Sequence, residues 1–212
     1  MVGRGVLREC LLDSDVQLVQ TIGRSATGVQ HSKLREILHR DLWHYTSIEA
    51  DLSCFDACFF CLGVSSVGMN KDDYERVTYG ITMAAADTLS RLNPHMTFIY
   101  VSGAGTDSSE HGRTMWARVK GKTENSLLRL PFKAAYMFRP GFIEPLHGVK
   151  SKTASYRILY ALIKPLVPML RWAFPNSMLT TEQIGRTMLT VARHGAPKRI
   201  LEVKDIRAIV HL

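Results

Sequence analysis

Five apolar runs in this chain each stop at a cluster of small or polar residues, and that recurrence constrains the fold more than any single motif. The runs cover residues 16–22, 34–39, 58–62, 96–102 and 134–139. They end at Gly23-Arg24-Ser25, Arg40-Asp41-Leu42, Leu62-Gly63-Val64-Ser65, Ser102-Gly103-Ala104-Gly105 and Arg139-Pro140-Gly141. Stretches of helical periodicity, 71–92 and 114–129 among them, separate most of the runs, and a short late strand is predicted over 199–202. Strands alternating with helices predict an α/β fold: a doubly wound, mostly parallel sheet with helices on both faces. In such sheets ligands bind outside the carboxyl ends of the strands, where the five clusters fall.

The chain opens on a helix rather than a strand. Val6, Leu7, Cys10 and Leu11 form one apolar face, Asp13-Ser14-Asp15 ends it, and Gly3 stands just inside its start. A glycine there reads as the last glycine of a phosphate-binding turn, where backbone N–H groups meet a pyrophosphate at a helix N-terminus. The first strand of such a unit is absent from the chain. The expectation is a shortened N-terminus, with about ten further residues of strand and Gly-rich turn upstream.

At 212 residues the chain is expected to form a single domain over 1–212, with 144–180 as a substrate lid or surface segment. The formal charge of +8 comes from scattered Lys and Arg without basic runs, which argues against nucleic acid and suits a phosphorylated ligand in a local cleft. Cys58 and Cys61 could suggest a metal or redox pair. Within a strand, residues three apart point to opposite faces, so the four cysteines read as core thiols in a reducing cytoplasm, and no metal site is expected. No signal peptide is visible.

Arg24 follows the strand at whose end an adenosine ribose would lie. Its planar guanidinium, with the Ser25 hydroxyl, suits a 2′-phosphate, so NADP is expected in preference to NAD. Asp41 could accept from the adenine amino group, and Leu42 could pack on its ring.

These residues resemble the atypical short-chain dehydrogenases/reductases, the NAD(P)-binding group that includes nucleoside-diphosphate-sugar epimerase-like proteins and Tat-interacting-protein oxidoreductases. The resemblance runs from Met1 to about Ile206. Its strongest segments are the Gly3 turn, residues 56–63, Tyr100-Val101-Ser102-Gly103-Ala104-Gly105, Val119-Lys120-Gly121-Lys122-Thr123-Glu124 and Phe138-Arg139-Pro140-Gly141. It implies a Rossmann fold with NADP along the strand ends. It also implies Leu62, Gly63 and Val64 on the adenosine side, and Pro140, Gly141, Phe142 and Ile143 near the nicotinamide. The family's catalytic groups are a Ser after a strand and a Tyr-x-x-x-Lys pair on the next helix. Ser102 and Lys120 stand at matching positions, and Lys120 would also bind the cofactor ribose. Trp116 replaces the tyrosine.

An indole N–H donates a hydrogen bond but does not ionise usefully, so Trp116 cannot relay a proton as a phenol does. Asp107, Ser108 and Tyr156 are candidate replacements. Two functions therefore stay open. One is an oxidoreductase acting on a carbonyl or hydroxyl of a small apolar substrate; the other is a redox-silent dinucleotide-binding sensor or scaffold. A basic stripe of Arg157, Lys164 and Arg171 beside an apolar one gives the 156–174 segment two further readings, a dimer contact and a peripheral membrane contact.

Overall fold

A computed structural model describes residues 1–147 and 178–210. The first helix, α1 (Val2–Leu12), buries Val6, Leu7, Cys10 and Leu11, the face its apolar spacing predicts. Strands β1 (Val19–Gly23) and β2 (Leu34–Leu38) follow and pair in parallel. Then come β3 (Ala57–Phe60), β4 (Thr97–Val101), β5 (Ala134–Arg139) and β8 (Ile200–Glu202), which form a four-stranded parallel sheet in the order β3-β4-β5-β8. A third pair, β6 (Phe142–Glu144) with β7 (Met178–Thr180), is also parallel. The predicted strands are present, and the first starts three residues later than its apolar run.

Helices cover both faces of the four-stranded sheet. On one side α1, α5 (Thr181–His194) and α6 (Val203–Val210) pack Val6, Cys10, Ile184, Met188, Val191 and Ile206 against Ile99, Tyr136 and Phe138. On the other, α3 (Ile81–Leu92) and α4 (Met115–Leu127) pack Ala85, Ala86, Leu89 and Leu127 against Phe98, Tyr100, Ala135 and Met137. The alternation along β4 and β5 feeds both cores, as the two-residue period of a strand requires. Thr180 starts α5 with a capping box, its hydroxyl accepting from the Gln183 N–H while the Gln183 side chain accepts from Thr180.

Three features depart from the expectations. The helix predicted over 71–92 contains a π-turn, Arg76–Gly80, between α2 (Lys71–Glu75) and α3. Cys54 is exposed, with a left-handed φ of 66°, so it is no core thiol; burial pushes the thiols of Cys10, Cys58 and Cys61 up to about 12. Lastly, β1-β2 and β3-β4-β5-β8 share no strand pairing, so the parallel array is divided between β1 and β3. The basic stripe and Tyr156 lie outside the described residues, as does most of the predicted lid.

Candidate functional site

The turns after β1, β2 and β3 converge. Arg24, Arg40, Leu42, Leu62, Gly63 and Val64 line a cavity of about 110 Å³, whose remaining wall is Trp43 together with the π-turn and the start of α3, with Val77, Thr78, Ile81 and Thr82. Leu62 and Val64 are 40% and 45% exposed, which leaves apolar surface at a strand end where a flat ring could lie. Five of the predicted cofactor residues, Arg24, Leu42, Leu62, Gly63 and Val64, are thus brought together.

Asp41 is placed differently. Its carboxylate accepts from the Trp43 N–H at 3.0 Å and meets His44 Nδ1 at 2.8 Å, and the His44 contact holds its carboxyl below the usual carboxylate range. It lines a second, open cavity of about 680 Å³ with Arg40, Trp43, His44 and Arg76. Ser25 lines neither cavity. Sequence reasoning gave no site role to Arg40, Trp43 or the π-turn. Arg40 was visible beside Asp41, whereas a π-turn leaves no mark in an apolar period. Gly3 lies in the first turn of α1, and a Cβ there would sit 3.3 Å from the Cys61 Cβ, so the glycine permits close packing of helix against strand end.

The other half of the site is built from the ends of β4 and β5 and one face of α4. Trp116 and Lys120, four apart, both face the turn after β4. A Cβ at Gly105, whose φ is +84°, would lie 3.6 Å from the Trp116 ring, and one at Gly103 would lie 4.0 Å from Lys120 Nζ. Lys120 Nζ donates to the Ser102 carbonyl oxygen. Burial pushes the Lys120 ammonium from 10.5 down to about 8, partly opposed by Glu124. The Ala104 N–H donates to the Pro140 carbonyl at 2.8 Å, which pins the start of the Gly141-Phe142-Ile143 segment beside this turn.

Ser102 does not present its hydroxyl to this face. The side chain is 5% exposed, and its Oγ donates toward Glu124 Oε1 at 2.5 Å and lies 3.1 Å from the Phe138 carbonyl. Glu124 is fully buried and paired with Arg139, whose Nε donates to Oε1 at 3.0 Å and whose Nη2 donates to Oε2. Arg139 also reaches Glu202 at 3.1 Å and the Ser108 Oγ at 2.6 Å. One arginine at the end of β5 thus ties together α4, β8 and the loop after β4. The proposed replacement acids serve this framework: Ser108 accepts from Arg139, and Asp107 accepts from Ser109 and the Gly112 N–H, which hold its carboxyl low.

No protein-family model matches the chain. Over 146 residues it is 27% identical to a Scheffersomyces stipitis protein named Protein FMP52-2, mitochondrial, a match spanning 68% of this chain and 62% of that protein. Over 192 residues it is 23% identical to Protein FMP52, mitochondrial, of Meyerozyma guilliermondii, spanning 88% and 78%. Both names overturn the cytoplasmic expectation: an absent signal peptide and free thiols do not separate the cytosol from other reducing compartments.

Among solved structures, the chain superposes on Helicobacter pylori ADP-L-glycero-D-manno-heptose-6-epimerase with a TM-score of 0.68 at 15% identity, covering 100% of this chain and 77% of that one. The Bordetella bronchiseptica enzyme WbmG in complex with NAD gives 0.67 at 10%, covering 100% and 73%. A short-chain dehydrogenase/reductase superfamily protein from Agrobacterium tumefaciens with bound NAD gives 0.62 at 12%, covering 100% and 78%. The chain has the Rossmann-like fold of these proteins.

Proposed function

We propose that this chain binds a nicotinamide dinucleotide along its strand ends, prefers the 2′-phosphorylated form, and reduces a carbonyl of a small apolar molecule. The observation that carries the reading is the convergence of Arg24, Arg40, Leu42, Leu62, Gly63 and Val64 on one cavity. The donor set fits the group. Leu42, Leu62 and Val64 would flank a flat ring, and among the described residues neither Arg24 nor Arg40 is paired with a carboxylate, so both guanidinium groups are available to phosphate. When bound, the cofactor would supply hydride; Lys120, beside the turn after β4, would hold its ribose hydroxyls. The solved structures at this fold level that carry NAD in their names support the ligand class. The curated relatives support a mitochondrial compartment.

Trp116 favours a second reading, in which the dinucleotide is bound without turnover and the chain acts through partners. Titration with NADPH and NADH, followed by intrinsic fluorescence and calorimetry, tests the shared part. Tighter binding of NADPH is expected, with the preference reduced in Arg24→Ala. Equal or absent binding of both would overturn it. Turnover across a panel of carbonyl compounds then separates reductase from sensor.

A further inference from the structure

Reduction of a carbonyl needs a proton at the oxygen as hydride reaches the carbon, and a donor whose pKa lies near the working pH serves best. Trp116 cannot supply it, and Asp107 and Ser108 are held by the loop and by Arg139. Lys120 is a titratable group that faces the turn after β4 beside Trp116. Its amine lies against the turn after β4, and the Ser102 carbonyl takes one of its three N–H donors.

The carboxylate one turn away, Glu124, forms no ion pair with Lys120 among the described residues. Its two oxygens are bound by Arg139 and by the Ser102 hydroxyl, and Arg139 is further balanced by Glu202. Tyr100, the titratable group of β4 near Glu124, is held protonated by burial, and the Asp107 carboxylate points into its own loop. Among the described groups, Glu124 is the one whose charge acts on Lys120, and it is itself paired with Arg139.

We propose that Lys120 is itself the proton donor of this site, passing an Nζ proton to the substrate's carbonyl oxygen in place of the phenol that Trp116 does not provide. The inference rests on the reductase reading. In the step, a C–H bond of the reduced dinucleotide breaks and its electron pair forms the new C–H bond at the carbonyl carbon. The π pair closes on oxygen, the oxygen takes the proton from Nζ, and the neutral amine recovers a proton from water while the dinucleotide leaves oxidised. Burial, by bringing the ammonium down to about 8, puts the donor close to neutral pH.

Competitive acylation with acetic anhydride between about pH 6 and about pH 11, read by mass spectrometry on the unliganded chain, follows the Lys120 amine without cofactor. Its reactivity is expected to titrate near 8. In parallel, Lys120→Met and Lys120→Arg are assayed for NADPH binding and for reduction of a carbonyl panel. Arg keeps the cation and its hydrogen bonds but does not release a proton. Lys120→Arg, which keeps a cationic donor for the ribose, is expected to bind NADPH and to lose about 10²-fold or more in kcat, with the limb near pH 8 gone; Lys120→Met is expected to bind it more weakly and to lose the same limb. Full turnover in Lys120→Arg, titration of Lys120 in the ordinary lysine range, or NADPH binding by the wild type without turnover would each overturn the proposal while leaving dinucleotide binding intact. A wild-type chain that binds neither dinucleotide overturns the functional reading and this inference together.

Discussion

Arg139 shows how one side chain sets the chemistry of a site it does not enter. Its guanidinium carries the buried Glu124 carboxylate, so truncation leaves a charge at 0% exposure facing a protein interior. Breaking such a pair from one side costs about 3–5 kcal/mol, whereas replacing both partners with apolar residues of similar volume costs far less. Arg139→Met is therefore expected to lower the unfolding free energy by about that amount in urea titrations, and Glu124→Leu/Arg139→Met to recover most of it. An additive double variant would contradict the pairing. Lys120 gives a pH signature. Its folded pKa of about 8 lies below its ordinary 10.5, so the unfolded chain holds the extra proton between those values. Burial of the ammonium thus weighs against the fold below about pH 8, and that penalty fades as pH rises toward 10.5. Wild type is expected to gain stability relative to Lys120→Met across that window and to run parallel to it below pH 8. The placing of Trp116 and Lys120 together was legible because a spacing of four fixes a helical face. The direction of the Ser102 hydroxyl was not, because it depends on Glu124, 22 residues away, being buried beside it.

Elements meet in this fold through glycines as much as through apolar faces. A Cβ at Gly121 would fall 1.7 Å from the Asp107 carbonyl oxygen, so α4 lies on the loop that follows β4 with no room for a methyl group. Gly5 and Gly185 do the same between α1 and α5, where a Cβ would reach 2.5 Å from the Thr181 Cβ and 2.7 Å from the Glu9 Cγ. Gly121→Ala is expected to destabilise by about 1–3 kcal/mol or more, because the obstacle is backbone. Gly63→Ala, with nothing within 4 Å of the new methyl, is expected to change thermal unfolding little, within about 0.5 kcal/mol. Equal melting shifts in the two variants would show that the helix-on-loop packing is looser than described. The helices could be read from their apolar periods, but the close approaches could not, because a glycine's neighbour across an interface leaves no local pattern. The π-turn was hidden likewise: one extra residue in a turn barely perturbs a period of 3.6, yet it puts Thr78 and Ile81 on the wall of the cavity.

At the scale of the molecule, the division between β1 and β3 governs how the site can behave. The alternating pattern was enough to read parallel strands and two helical layers. No strand pairing joins β1-β2 to the four-stranded sheet. The two-stranded unit is held by side-chain contacts such as Gln20 Nε2 to the Asp51 carbonyl at 2.7 Å and Lys33 Nζ to the Asp13 carbonyl at 2.6 Å. Regions with few buried backbone ladders open at lower free energy than the core. Amides of β1 and β2 are therefore expected to exchange well before those of β4 and β5, whose Phe98, Ile99, Met137 and Phe138 are 0% exposed. The candidate cavity straddles the same division, taking Arg24, Arg40 and Leu42 from one unit and Leu62, Gly63 and Val64 from the other. A ligand there bridges the two units, so at about 100 times its dissociation constant it adds about 2.7 kcal/mol to any opening that destroys the site. Hydrogen exchange by mass spectrometry should then show NADPH slowing β1 and β2 selectively. Protection confined to β4 and β5, or spread evenly over the chain, would place the dinucleotide elsewhere.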